Sequence, residues 1–280
     1  MKFLRILPLL LLLGSTEALA ALDADLVLVY GSQQARLLPA YAAAAKPPKK
    51  GSDARAWLPP VVAWSEGEEA WTQALIDRIA PKKTVWIAPP GVSPDALRVP
   101  GKVQQIVADD AAIGAAIVEA AFSPSDEPRA IWVSQGEDAD AGIVAAALAA
   151  SERSPLLVAT GRLTDTLHEA ATLAERLGAK EVVVVGDADQ GRLASQLGTK
   201  LRVLSPADAL RTQRASVRGT NHLVLVSPAD TRGPFSPPKL SLASVPYLLA
   251  KGAALAYVRE GKTPEDLTRA LEEAGEGRFD

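Results

Sequence analysis

The sequence predicts an α/β protein built from repeated units of parallel sheet and helix. Short runs rich in β-branched residues alternate with segments of helical period, and this order recurs three times along the chain. Corresponding elements of the first two copies lie 97 positions apart from Thr84 to Glu181 and 98 apart from Val103 to Leu201. A period above the solenoid range indicates small domains, and strands that alternate with helices indicate parallel sheets covered on both faces.

Length and composition fit this prediction and exclude several classes of protein. The chain has 280 residues, 48% of them hydrophobic and 5% aromatic, which suits one large or two to three small globular domains. The formal net charge of −3 gives no bulk attraction for nucleic acid or anionic lipid. Because cysteine is absent, disulfides, thiolate metal sites and a lipid-modified cysteine are excluded.

Residues 1–20 have the features of a secretory signal peptide. Lys2 and Arg5 precede an apolar stretch at 6–13, and Ala18-Leu19-Ala20 is a small-residue cleavage site. The apolar stretch is shorter than the roughly 20 residues of a spanning helix, although a retained N-terminal anchor is the alternative. Cleavage near Ala21 would lower the net charge from −3 to −4 and leave a secreted or periplasmic protein without a transmembrane segment.

The first predicted unit covers residues 21–122. Strands are expected over 25–30, 59–64, 84–88 and 103–107. Ser65 and Glu68 have capping-box spacing before a helix whose apolar stripe would be Trp71, Leu75 and Ile79. A second helix is expected over 109–121. Core positions fit Trp64, Trp71 and Trp86. Trp57 could stack on a sugar, but we favour packing against the core or a loop.

The second predicted unit covers residues 123–219 and repeats this plan. Strands are expected over 130–134, 155–159, 181–185 and 201–204, and the continuous valine run 182–185 indicates a central strand. An apolar stripe runs from Leu163 to Leu177, and Gly178 marks the end of that helix. Thr166 and Glu169 have capping-box spacing near its start. A last helix is expected over 207–218.

The third predicted unit, residues 220–280, is shorter. Strands are expected over 222–226 and 253–258, followed by a helix that starts at Thr263-Pro264 and closes at Gly275. The printed sequence stops where the counterpart of strand 181–185 should begin. The pattern therefore predicts two complete units and a third incomplete one. The unit could be genuinely short, but we favour an incomplete version of a longer chain.

Residues 103–210 contain an ordered series of motifs that is clearest over 133–189. There a strand, Gly136, Asp140, an alanine-rich run at 143–150 and Pro155-Leu156-Leu157 follow one another. The Leu163-led helix, Leu177-Gly178-Ala179 and Val185-Gly186 continue the series. In this order of motifs the segment resembles the cell-wall-binding repeat family of Gram-positive surface proteins. The resemblance implies tandem Rossmann-like units, three to a protein, that hold a surface protein on an anionic envelope polymer.

The chain departs from this family at two motifs. The family's Asp-Arg-Tyr signature is missing, since Asp110 is followed by Ala111 and Asp208 by Ala209. The second glycine of the family's Gly-Gly pair is Asp187 here. The implied fold is therefore better supported than the implied ligand, because a fold does not fix a function.

Four aspartates follow strands of the second unit: Asp138, Asp140, Asp187 and Asp189. The carboxyl ends of parallel strands form the ligand-binding edge of an open sheet, and four carboxylates there could bind a hard divalent cation. Gly191 occupies the fifth position of the loop that starts at Asp187, which does not match the calcium-loop spacing. We favour the interpretation that these aspartates cap helices and solvate loops.

Arginines recur on one side of the last predicted helix of the second unit. Arg211, Arg214 and Arg218 have i, i+3, i+7 spacing, and Lys200 and Arg202 lie just before. Guanidinium groups suit phosphate and carboxylate, so this is the best candidate for an anion-binding stripe. We favour the alternative that these arginines lie on a solvated outer face of the helix and bind no ligand.

Signals for catalysis and cofactors are weak. His168 and His222 are the only histidines, and a pairing of His222 with Ser227 or Ser134 lacks the G-x-S-x-G elbow of a hydrolase. Phosphate-loop and dinucleotide glycine motifs are absent from the sequence, so no cofactor is predicted.

These observations lead to a functional hypothesis with two alternatives. We expect a non-catalytic, secreted or periplasmic protein that binds an anionic cell-envelope polymer or glycan, does not bind nucleic acid, and could form a homo-oligomer. The first alternative is a periplasmic small-ligand receptor with a cleft between two lobes. The second is a metal-assisted hydrolase that uses the aspartates after residues 136 and 186.

Overall fold

The computed structural model describes residues 22–31, 33–45, 58–135, 139–195, 197, 200–217, 220, 222–226, 244–257, 268 and 272. Across these residues the strands form three separate parallel sheets, two of four strands and one of two. The predicted α/β fold with tandem parallel-sheet units is confirmed, and the strands expected from the sequence are present to within two residues at each end. The exact boundaries between units remain a prediction.

The first sheet has the strand order β2-β1-β3-β4. Its strands are β1 (Leu26–Tyr30), β2 (Val61–Trp64), β3 (Lys83–Ala88) and β4 (Lys102–Val107), and its helices are α1 (Gln34–Ala44), α2 (Glu69–Ile79) and α3 (Ile113–Ala121). Only a 3-10 turn at Pro94–Ala96 lies between β3 and β4.

The second sheet repeats this order as β6-β5-β7-β8. Its strands are β5 (Ala130–Gln135), β6 (Leu156–Ala159), β7 (Glu181–Val185) and β8 (Leu201–Leu204). Its helices are α4 (Ala139–Ser151), α5 (Leu163–Leu177), α6 (Gln190–Ala194) and α7 (Pro206–Ser216). Gly178 ends α5 in the left-handed conformation with φ of 72°, as its position in the sequence predicts.

The third sheet pairs β9 (Leu223–Val226) with β10 (Ala254–Tyr257), in parallel and with α8 (Ser244–Lys251) between them in the chain. These two strands correspond to the first two strands of each larger sheet. Of the helix expected to start at Thr263, the described residues include Thr268 and Glu272, both helical, and the rest lies outside them.

Helix α4 is the centre of the molecule. Residues 141–150 are all buried, because α4 packs on its own sheet and also against α1, α7 and α8. Alanine-rich packing lets the neighbouring helices approach closely. At Gly142 an added Cβ would lie 2.6 Å from the Leu38 Cδ1 atom of α1. One apolar core therefore runs through residues of all three sheets.

The second and third sheets are joined by polar contacts from α7. The Gln213 side chain donates to the Ala253 carbonyl (2.9 Å) and accepts from the Leu255 N–H (3.0 Å). The adjacent Arg214 guanidinium donates to the Leu255 carbonyl (2.9 Å). The Gln213 amide thus makes the hydrogen bonds to the outer edge of β10 that a neighbouring strand would make.

Three local predictions are wrong. Helix α5 starts at Leu163, before the supposed capping box at Thr166, and Arg162 is its N-cap. Helix α2 starts at Glu69, and Ser65 instead begins a turn in which its carbonyl accepts from the Glu68 N–H. Trp71 is 60% exposed, because Thr72 and Ile76 are the residues of α2 that face the sheet.

Replacement of Gly142 by valine tests the close approach of α1 and α4. Overpacking against Leu38 should lower the free energy of unfolding by about 1–3 kcal/mol in urea titrations. Gly161 is the matched control, since no atom lies within 4 Å of an added Cβ there. A Gly142→Val protein as stable as the Gly161→Val protein would contradict close packing at this point.

Replacement of Gln213 by alanine tests the junction between the second and third sheets. Two buried backbone groups, the Ala253 carbonyl and the Leu255 N–H, would lose their partner, so we expect the free energy of unfolding to fall by about 2 kcal/mol or more. Arg211→Ala, on an exposed side of the same helix, should change it by less than about 1 kcal/mol. Equal effects of the two substitutions would show that Gln213 does not stabilise the junction.

Candidate ligand-binding site

An open cleft of about 390 Å³ lies at the carboxyl edge of the second sheet. It is lined by the last residue of β5 and by residues that follow β6 and β7: Gln135, Arg162, Leu163, Thr164, Asp187, Ala188, Asp189 and Leu193. This is the edge at which open parallel sheets bind ligands.

Glycine at position 186 shapes the inner end of the cleft. Strand β7 ends at Val185, and Gly186 then adopts a φ of 153°, which residues with a Cβ rarely adopt. An added Cβ would collide with the Gln135 side chain, which lies directly against this turn. The missing Cβ therefore allows the Gln135 amide and the 187–189 loop to lie side by side.

One wall of the cleft is positively charged. Arg162 is exposed and is the N-cap residue of the 15-residue helix α5, with no hydrogen bond from its side chain to the cap. Leu163 and Thr164 form the first turn of α5, where backbone N–H groups carry a partial positive charge. This wall can attract an anionic group.

The opposite wall carries carboxylates. Asp187 and Asp189 are both exposed, and the Asp189 carbonyl accepts from the Leu193 N–H (3.1 Å) at the start of α6. Leu193 is buried and adds an apolar surface beside Leu163. The cleft therefore combines a cation, two carboxylates, an amide and a small apolar surface.

The predicted acidic residues are placed in two different ways. Asp187 and Asp189 line the cleft, whereas Asp140 is in the first turn of α4 and its carbonyl accepts from the Tyr257 hydroxyl (2.7 Å). Asp138 lies outside the described residues. Within the described part of the chain, no group of three or more His, Cys, Asp or Glu side chains could hold a metal ion.

Arg202 lies at the other end of the second sheet. Its guanidinium pairs with the buried Glu181 carboxylate (3.2 Å) at the start of β7 and is 6.0 Å from the centre of the Trp132 ring. The Lys200 ammonium lies 3.9 Å from the same carboxylate. Through these contacts Arg202 neutralises the charge of the buried Glu181 carboxylate.

The arginines of α7 do not share one exposed face. Arg211 is exposed and pairs with Asp208, and hydrogen bonds from Ser205 and then Arg211 lower the pKa of that carboxyl. Arg214 is buried against β10, and Arg218 lies outside the described residues. A ligand-binding role for these arginines remains a prediction.

One of the two histidines lies on the surface. His168 is on α5, and its Nδ1 atom is 2.7 Å from the Thr164 carbonyl of the same helix. His222 is half-buried just before β9, and Ser134 is fully buried in β5. Ser227, the other serine considered, lies outside the described residues.

Gln135, Arg162 and Thr164 were not predicted as site residues. Each follows a predicted strand, so the rule that ligands bind at the carboxyl edge could have selected them as it selected the aspartates. The predicted capping box at Thr166 gave no reason to consider Arg162 as the residue that begins the helix. None of the described helices is long and apolar enough to cross a membrane.

Comparison with solved structures identifies two proteins of similar fold. Cwp6 from Clostridium difficile matches with a TM-score of 0.62 and 12% identity, over 92% of this chain and 42% of that protein. Cwp8 from Clostridium difficile matches with a TM-score of 0.57 and 12% identity, over 90% of this chain and 47% of that protein. The chain thus spans less than half of either protein. No family model matches the sequence, and no curated protein matches it.

Proposed function

We propose that this chain is a non-catalytic, secreted binding protein of the cell envelope, which attaches to an anionic envelope polymer or glycan. The single observation that carries this proposal is the similarity of nearly the whole chain to Cwp6, a cell wall protein. Fold similarity alone does not transfer a function, so the proposal also needs a suitable site.

The cleft at the carboxyl edge of the second sheet is the proposed binding site. The Arg162 guanidinium can donate two parallel hydrogen bonds to a phosphate or carboxylate. Gln135, Thr164, Asp187 and Asp189 can exchange hydrogen bonds with sugar hydroxyl or amino groups. Leu163 and Leu193 offer an apolar surface to a sugar ring.

The chemistry of the cleft suits an acidic sugar unit better than a plain polyanion. Two carboxylates face one guanidinium, so a ligand of dense negative charge would be repelled from one wall. A polymer in which acidic groups alternate with hydroxyl or amino groups would match both walls. Because the cleft is open to solvent, the polymer could continue beyond it on either side.

The two alternatives receive less support from the geometry. A small-ligand receptor predicts a cleft between two units, whereas every described residue that lines this cleft belongs to the second sheet and its loops. The metal-assisted hydrolase requires Asp138, Asp140, Asp187 and Asp189 to meet. Of the three that the structure describes, Asp187 and Asp189 line the cleft, and Asp140 is not among its lining residues.

Cosedimentation with isolated bacterial cell walls tests the proposal. The protein should bind walls that keep their anionic polymers and should bind less as salt rises, because charge attraction contributes to affinity. Arg162→Ala should weaken binding by about tenfold or more, as expected for a lost charge-assisted hydrogen bond. Walls stripped of anionic polymer by acid extraction should no longer retain the protein.

Two matched variants locate the site. Arg129→Ala removes the same charge from an exposed position at the opposite edge of the second sheet, and it should bind like the unaltered protein. Arg211→Ala tests the predicted arginine stripe. Loss of binding in Arg211→Ala but not in Arg162→Ala would move the site to α7, and unchanged binding to stripped walls would contradict polymer recognition.

A further inference from the structure

Strand β4 is an exposed edge of the first sheet. It pairs with β3 on one side, and among the described residues no strand pairs with its other side. Five of its six residues are exposed, including Val103 (37%) and Val107 (46%). Only Ile106 faces the core. An exposed, apolar edge strand readily pairs with another chain.

The corresponding strand of the second sheet is protected from such pairing. Strand β8 has four residues instead of six, carries the charged Arg202, and is packed against helix α6. In the first unit a 3-10 turn stands in place of α6, and β4 has no proline and only one charged residue, Lys102. The features by which proteins usually block edge pairing are therefore missing from β4.

The hydrogen bonds of β4 fix which residues can pair outward. The Lys102 N–H donates to the Lys82 carbonyl (2.9 Å) and the Ala108 N–H to the Ala88 carbonyl (3.3 Å). Because alternate residues of a strand direct their N–H and C=O groups to the same side, residues 102, 104, 106 and 108 bond to β3. Val103, Gln105 and Val107 therefore direct their backbone groups toward the open edge.

We propose that β4 is a dimerisation strand, which pairs with β4 of a second copy in antiparallel orientation about Gln105. Val103 of each copy then lies opposite Val107 of the other, and Gln105 lies opposite itself. All three outward residues form hydrogen-bonded pairs in this register. A shift by two residues in either direction leaves one of the three without a partner within β4. The two first sheets would join into one sheet of eight strands.

Charge complementarity supports the antiparallel orientation. Lys102 starts β4, and Asp109 follows it closely, and both are exposed. With Gln105 on the two-fold axis, Asp109 of one copy faces Gly101 of the other, next to Lys102. Opposite charges thus lie on adjacent positions at both ends of the interface, whereas a parallel pairing in the same register places Lys102 opposite Lys102 and Asp109 opposite Asp109. This inference is independent of the ligand of the cleft.

Solution mass and an edge variant test the proposal. The unaltered protein should sediment as a dimer whose fraction rises with concentration. Val107→Lys should shift the dissociation constant upward by about tenfold or more, since it places a cation opposite Val103 on both sides of Gln105. Leu225→Lys changes a similarly exposed residue on β9 and should leave the dimer intact. Circular dichroism of both variants should show an unchanged fold.

The absence of native cysteine allows the register to be tested directly. A Gln105→Cys protein should form a disulfide-linked dimer on mild oxidation, because opposed Cα atoms in such a pair are about 5.5 Å apart. An equimolar mixture of Val103→Cys and Val107→Cys proteins should crosslink far faster than either protein alone. Ala120→Cys, exposed on α3, is the control for random collision.

Either of two results would overturn the proposal. The first is a monomer at all concentrations, which would mean that β4 stays solvated, is covered by another segment of the chain, or receives a different partner. The second is a dimer that survives Val107→Lys and does not crosslink through Gln105→Cys, which would place the interface elsewhere.

Discussion

The contact between α1 and α4 is the constraint on which the rest of the structure depends. Because Gly142 has no side chain, Leu38 can lie directly over the α4 backbone, and the first and second sheets share one apolar core. The alanine-rich sequence of α4 extends this close packing to α7 and α8. Larger side chains at these positions would separate the units and leave three small cores, each a marginal source of stability.

The strands were predictable because strands that are buried on both faces of a sheet have uninterrupted apolar sequences. Runs such as Val182–Val185 and Leu26–Val29 are apolar without interruption, and the structure places them at the centres of their sheets. Helix α1 was not predicted. Pro39 within it disfavours a helix by local propensity, and packing against α3, α4 and β6 outweighs that cost.

The candidate site was only partly predictable. The two aspartates of the 187–189 loop were identified because they follow a strand, and both line the cleft. Arg214 was assigned to a surface stripe because its spacing from Arg211 suits one helical face. The sequence could not show that β10, more than forty residues away, covers that part of α7 and takes Arg214 as a donor to Leu255. Such long-range contacts decide exposure, and helical periodicity contains no information about them.

The amide contact of Gln213 bears on how similar units avoid assembling incorrectly. At the junction of the first and second units, α3 packs on β6 through small residues, and Gly114 lies close to Leu157. The positions 98 residues before Gln213 and Arg214 are Ala115 and Ala116, so the two junctions differ in chemistry although the units share one plan. If α7 were exchanged onto β6, the amide and guanidinium groups matched to β10 would enter an apolar contact. Tandem copies are prone to domain swapping, and this mismatch disfavours a swapped arrangement during folding.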